Sequence, residues 1–134
     1  MEARSRIKVA AAVIVRDNKI LVTKRGYGDY KGFWEFPGGK LEEGESSKDA
    51  VVREIKEELA VEIKTEKYLG CVEYDYPSFH LSMDSFLCHI VKGEITLLEH
   101  EGAKWLDLTE LKSVNFLPAD IAVCELLRKE ENPI

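Results

Sequence analysis

Glu54, Glu57 and Glu58 stand three and four residues apart in the segment GKLEEGESSKDAVVREIKEEL, which runs from Gly39 to Leu59 and holds seven acidic residues against four Lys or Arg. At about 100° per residue, that spacing sets the three carboxylates on one arc of a helix. The arc adjoins an apolar stripe of Val51, Val52, Ile55 and Leu59. Like charges at such spacing cost a few tenths of a kcal/mol each on an open helix, and more where they are partly buried. Three compensations are open: a solvated face with Arg53 and Lys56 nearby, a shared proton with a raised pKa, or a hard divalent cation. Such a cation takes oxygen ligands from carboxylates and backbone carbonyls and commonly bridges to substrate phosphates. The acidic arc flanks the core-facing stripe instead of lying opposite it, and Pro37-Gly38-Gly39 can bring backbone groups to the same spot. These two features favour the cation.

The elements that must position this arc follow from the rest of the chain. Its 134 residues, 45% hydrophobic and 33% charged, describe one domain over 1–134 with enough apolar material for a core. Ser46 followed by Asp49 starts a helix over 47–59. Ile7–Val15 and Ile20–Arg25 form a hairpin about the turn at Asp17-Asn18-Lys19. Phe33–Phe36 is a short strand stopped by Pro37. Tyr68–Tyr76, Phe79–Val91 and Ala103–Leu108 read as further strands, and a helix follows Pro118. Strands and helices mixed without regular alternation give an α+β architecture with helices packed on a mixed sheet.

The opening run MEARSRIKVAAAVIV is too short to span a membrane and lacks a small-residue cleavage site, so a cytoplasmic location is expected, with no membrane partner. A net charge of -6 argues against a nucleic-acid polymer as partner. A small anionic ligand bridged by a metal is compatible with that charge. Cys71, Cys88 and Cys124 lie among apolar neighbours without metal-ligand spacing and are expected to be buried reduced thiols.

The acidic segment resembles the Nudix hydrolase signature: Gly, five residues, Glu, seven residues, Arg-Glu, an aliphatic, any residue, Glu-Glu, any residue, Gly, an aliphatic. The chain supplies Gly39, Glu45, Arg53, Glu54, Ile55, Glu57, Glu58 and Val61 at those places. It departs at Ala60, where the family has Gly. A left-handed exit there costs a residue with a Cβ roughly 1–2 kcal/mol. EFPGGK over 35–40, TKR ending at Arg25, VEYDYP and FLPAD extend the resemblance to the MutT-like branch and its cytidine triphosphate pyrophosphohydrolase relatives.

The resemblance implies a Nudix fold, an α/β/α sandwich with a mixed β-sheet, and hydrolysis of a nucleoside triphosphate to monophosphate and pyrophosphate. It implies Mg²⁺, or Mn²⁺ in its place, held by Glu54, Glu57, Glu58 and the Gly39 carbonyl. Glu45 and Arg53 then pair to orient Glu54, as metal sites require of their supporting residues. Arg25 and Lys40 suit contacts with phosphate oxygens, or are plain solubilising cations. Glu99, six residues before Trp105, is the candidate general base from a mobile loop, with Glu101 its rival. His80, His89 and His100 fall outside the matched motifs.

Asp120 in FLPAD stands where relatives meet the nucleobase edge. Ionised, it accepts hydrogen bonds only and suits the exocyclic amine of cytosine. The competing reading is an acid complementing the dipole of the last helix. Among Tyr27, Phe33, Trp34, Phe36 and Phe79, Phe36 is the candidate for stacking on a base. Two other readings remain at this stage: a hydrolase of nucleotide sugars or dinucleoside polyphosphates, and a catalytically silent nucleotide-binding domain. Nudix domains often dimerise, so the resemblance admits a homodimer.

Overall fold

The computed structural model describes residues 5–130; the two ends of the expected domain, 1–4 and 131–134, lie outside the described residues. Strand β1 (Ser5–Arg16) is the axis of the fold. It pairs in parallel with β6 (Phe79–Lys92), and antiparallel with β4 (Gly38–Lys40) and, at its far end, β2 (Lys19–Lys24). The sheet is therefore mixed. Strand β5 (Glu62–Tyr76) runs antiparallel along the outer side of β6, while β3 (Trp34–Glu35) and β7 (Gly102–Leu106) pair with β2.

The period of two along β1 divides the core. Ala10, Ala12 and Ile14 face helix α1 (Ser47–Leu59) through Ala50, Val51, Ile55 and Leu59. Ala11 and Val13 face helix α2 (Pro118–Lys129) through Ala119, Val123, Cys124 and Leu127. A strand buried on both faces must be apolar throughout, which is why AAAVI occupies its centre. Helices cover both faces of the sheet, giving an α/β/α sandwich. No helix among the described residues is long and apolar enough to cross a membrane.

Several boundaries differ from the sequence reading. Strand β5 begins at Glu62, not near Tyr68, because its charged first half is carried by pairing with the end of β6, through register shifts after Glu62, Thr65 and Tyr68. The two glycines after Pro37 belong to a strand of their own, β4. A short 3₁₀ turn over Leu108–Ser113, capped by Asp107, was not foreseen. Cys88 and Cys124 are buried as expected, but Cys71 is exposed: strand alternation buries its neighbour Val72 and turns Cys71 outward.

Candidate active site

Helix α1 starts where Ser46 accepts the Asp49 N–H at 3.1 Å. Its acidic arc is graded by depth. The Glu58 residue is buried at 7% exposure, the Glu54 side chain is 17% exposed and that of Glu57 is 55% exposed. Arg53 ties the arc together. Its Nε and Nη2 donate to the two oxygens of Glu45 at 2.8 and 2.9 Å, a forked pair. Its Nη1 donates to Glu54 at 2.9 Å and Glu57 at 3.2 Å, and Nη2 also reaches the Lys40 carbonyl at 3.0 Å. The hydrogen bond from Arg53, with that from the Glu42 N–H, holds the Glu45 carboxyl down to about 2. Arg53, forked on Glu45, thus links the acids of the arc.

Gly39 lets the Glu54 side chain approach the backbone closely. A Cβ there would lie 2.3 Å from Glu54 Oε2, so only glycine lets this carboxylate rest against β4. Burial pushes the Glu58 carboxyl up to about 9, with the charges of Glu54, Glu99 and Glu35 adding and the Gly38 N–H opposing. Its Oε2 is buried without a partner among the described residues. A buried orphan oxygen, crowded by like charges and beside a glycine cradle, fits a hard divalent cation by donor type. Among the described residues, no three side chains of the ligating kinds are gathered closely enough to hold an ion as they stand. Arg53 Nη1 instead holds Glu54 and Glu57.

Glu54 and Glu58, but not Glu57, line a cleft of about 540 Å³, a size ordinary for small-molecule sites. Glu99 lines its wall, and its rival Glu101 does not, being paired with Lys24 at 3.3 Å. The segment carrying Glu99 is stitched down: Thr96 N–H donates to the Leu59 carbonyl, Leu98 N–H to that of Glu58 and Glu101 N–H to that of Lys24. Lys40 lies at the rim, exposed. Arg25 lines the cleft but is not a free cation, since Nη1 donates to Glu35 Oε1 at 3.0 Å. Burial works against its charge, and the Glu35 carboxylate more than offsets this.

At the other end of the cleft, Asp120 in the first turn of α2 is buried at 4% exposure and accepts the Phe36 N–H at 2.9 Å. Burial, reinforced by the charge of Glu35, raises its carboxyl well above the usual range, while the Phe36 N–H and Arg25 oppose. Asp120 is thus a first-turn acid that also walls the cleft. Phe36 is 3% exposed and stacked on Phe116 at 5.2 Å, so most of its ring is spent in the core. The aromatic wall is broader than Phe36: Tyr76 stacks on Phe79 at 5.0 Å and meets Tyr30 edge-on at 5.5 Å, and all three line the cleft.

Two polar residues that line the cleft were not candidates from the sequence, Glu35 and His100. Glu35 accepts from Arg25 and contacts His100 Nε2 at 3.2 Å, so one carboxylate joins two side chains from distant segments. The available signal was a charged residue on a short strand between Trp34 and Phe36, inside the EFPGGK stretch. His80 and His89 lie elsewhere, on β6, beside Glu73, Asp75 and Glu66.

Residues 6–125 match the NUDIX domain family. The chain is 34% identical over 120 residues to CTP pyrophosphohydrolase of Escherichia coli K12, covering 89% of each chain. It is 35% identical over 98 residues to 8-oxo-dGTP diphosphatase of Proteus vulgaris, covering 72% of this chain and 88% of that one. The crystal structure of a MutT NUDIX hydrolase from Burkholderia pseudomallei superposes with a TM-score of 0.84 at 30% identity, covering 92% of this chain and 98% of the other.

Proposed function

The chain belongs to the NUDIX family, and from that premise we propose that it hydrolyses nucleoside triphosphates, of the cytidine type or carrying an oxidised base, to monophosphate and pyrophosphate. Its relatives bearing the names CTP pyrophosphohydrolase and 8-oxo-dGTP diphosphatase support this pair of substrates. The observation that carries the reading is Glu58: a buried, unpartnered carboxylate oxygen among like charges, at one end of a cleft whose other end is aromatic.

Glu54, Glu57, Glu58 and the Gly39 carbonyl would hold Mg²⁺ or Mn²⁺. When bound, such an ion neutralises phosphate oxygens and lowers the pKa of a coordinated water. Arg53, braced by Glu45, fixes where Glu54 and Glu57 sit. Glu99 accepts the proton of the water that attacks phosphorus in line, and the bridging oxygen departs with the leaving phosphate group. Lys40 faces the phosphate oxygens from the rim, while Arg25, held on Glu35, contacts the substrate from the wall. Asp120 meets the base edge beside Phe36. Burial pushes Asp120 toward its protonated form, in which it is both donor and acceptor, and this weakens the preference for cytosine drawn from an ionised carboxylate. Oxidised guanine fits equally.

A panel of nucleotides assayed with Mg²⁺, with pyrophosphate separated from single phosphate, tests this reading. Monophosphate and pyrophosphate from a triphosphate are expected, with loss of turnover in chelator. Turnover indifferent to chelator, or absent with every nucleotide, overturns it.

A further inference from the structure

The residues Glu35 to Gly38 run like a ruler along the cleft. At one end the Phe36 N–H binds Asp120, and at the other the Gly38 N–H faces the Glu58 carboxylate. The Glu35 side chain is close enough to act on both buried acids. If the base lies at Asp120 and the phosphates at Glu58, what lies over Glu35 is the pentose. This step rests on the function proposed above.

What gathers at Glu35 suits that position. The segment 93–101 turns Leu97 and Leu98 outward, at 38% and 58% exposure, yet buries the His100 side chain to 6%. A segment normally does the reverse, burying leucine and exposing histidine. Backbone hydrogen bonds at Leu98 and Glu101 fix the orientation on either side of His100. Glu35 Oε1 accepts from Arg25 Nη1, and Oε2 faces His100 Nε2. A carboxylate accepts only, so Nε2 carries the proton of that contact and Nδ1 of the neutral ring is left with a lone pair. Arg25 Nε and His100 Nδ1 are both buried without a partner among the described residues, and both side chains line the cleft. Leaving such atoms unsatisfied is costly.

One donor and one acceptor, held on the two oxygens of a single carboxylate, match a group that both accepts and donates. We propose that Arg25 Nε and His100 Nδ1 bind a pentose hydroxyl of the nucleotide, with Glu35 as the positioning residue that orients both, and that this cluster determines which sugar the enzyme takes. Phosphate oxygens accept only and cannot satisfy the imidazole lone pair.

The test uses the unaltered protein first. Its kcat/KM is measured with one base as the ribonucleoside, 2′-deoxy and 3′-deoxy triphosphates, in Mg²⁺. At least one deoxy substrate should be poorer by about tenfold or more, because a site built to bind a hydroxyl rejects the analogue lacking it. His100→Phe, which removes the acceptor, should bring that ratio near one by lowering kcat/KM for the hydroxylated substrate. His100→Asn, whose amide falls near the Nδ1 position, should restore part of it. Equal kcat/KM for all three sugars in the unaltered protein overturns the inference, as does a His100→Phe variant equally impaired on all three. Failure to turn over any triphosphate would instead remove the function on which the inference rests, and is read separately.

Discussion

Two buried acids, Glu58 and Asp120, stand at opposite ends of one cleft, and both are pushed toward their neutral forms by burial. Their surroundings differ. Asp120 has a backbone donor at 2.9 Å, aromatic neighbours and the first turn of a helix. Glu58 has one oxygen with no partner among the described residues and the charges of Glu54, Glu99 and Glu35 nearby. Under the proposed function the same residue chemistry does two jobs: the satisfied acid recognises the base, and the unsatisfied one among like charges holds a cation.

The largest expected break between the two ends is in rate. Glu57→Gln or Glu58→Gln should lower kcat by about 10³-fold or more with the fold retained, and an active variant would contradict their role as ligands. Arg53→Lys comes next: lysine cannot reproduce the fork on Glu45 while also holding Glu54 and Glu57, so activity should fall by about 10–100-fold. Near-normal activity in that variant would show that the brace is dispensable. Asp120→Ala removes the carboxyl from the base edge and should move the ranking among bases by about tenfold, not the rate with every base. An unchanged ranking would leave Asp120 a helix-end residue.

The stability effects are smaller. Between its ordinary value of 4.5 and about 9, the Glu58 carboxyl holds a proton in the folded chain that the unfolded chain has released. Stability tied to this group is therefore complete below the lower value and declines as pH rises toward the upper one. In metal-free buffer, Glu58→Gln should melt higher than the unaltered protein, by a margin of about 5 °C or more that grows from about pH 5 to about pH 8. Added Mg²⁺ should close the margin. Melting curves that keep the same separation across that range would mean the acid is not strained.

The smallest change lies just past the acidic arc. Ala60 ends α1 in the left-handed conformation, φ 59°, with its N–H on the Lys56 carbonyl. Ala60→Gly should stabilise the fold by about 0.5–1 kcal/mol, relief of the Cβ being partly offset by the greater freedom of glycine when unfolded. A lower melting temperature would reject that view of the turn.

Much of the arc was legible because helical spacing and capping are local. Ser46 to Leu59 reads as a helix whatever surrounds it, and Glu54, Glu57 and Glu58 then share a side. The hairpin at Asp17-Asn18 is legible for the same reason, both residues adopting positive φ in a two-residue turn between Arg16 and Lys19. The first half of β5 was not, since its Lys and Glu residues say nothing about strand until β6 lies beside them. Cys71 was misjudged because apolar neighbours in sequence do not fix which face of a strand a side chain takes.

By itself the sequence determined the carboxylate arc, the glycine beside it and the strand that both helices must cover, since each depends on residues a few positions apart or on period alone. Only the tertiary structure decided which acids are buried, that Glu99 and not Glu101 walls the cleft, and that Arg25, Glu35 and His100 meet. Depth and meeting across ten and sixty-five positions of chain depend on how sheet and loops stack, and desolvation, which sets the chemistry of Glu58 and Asp120, exists only once that stacking has excluded water.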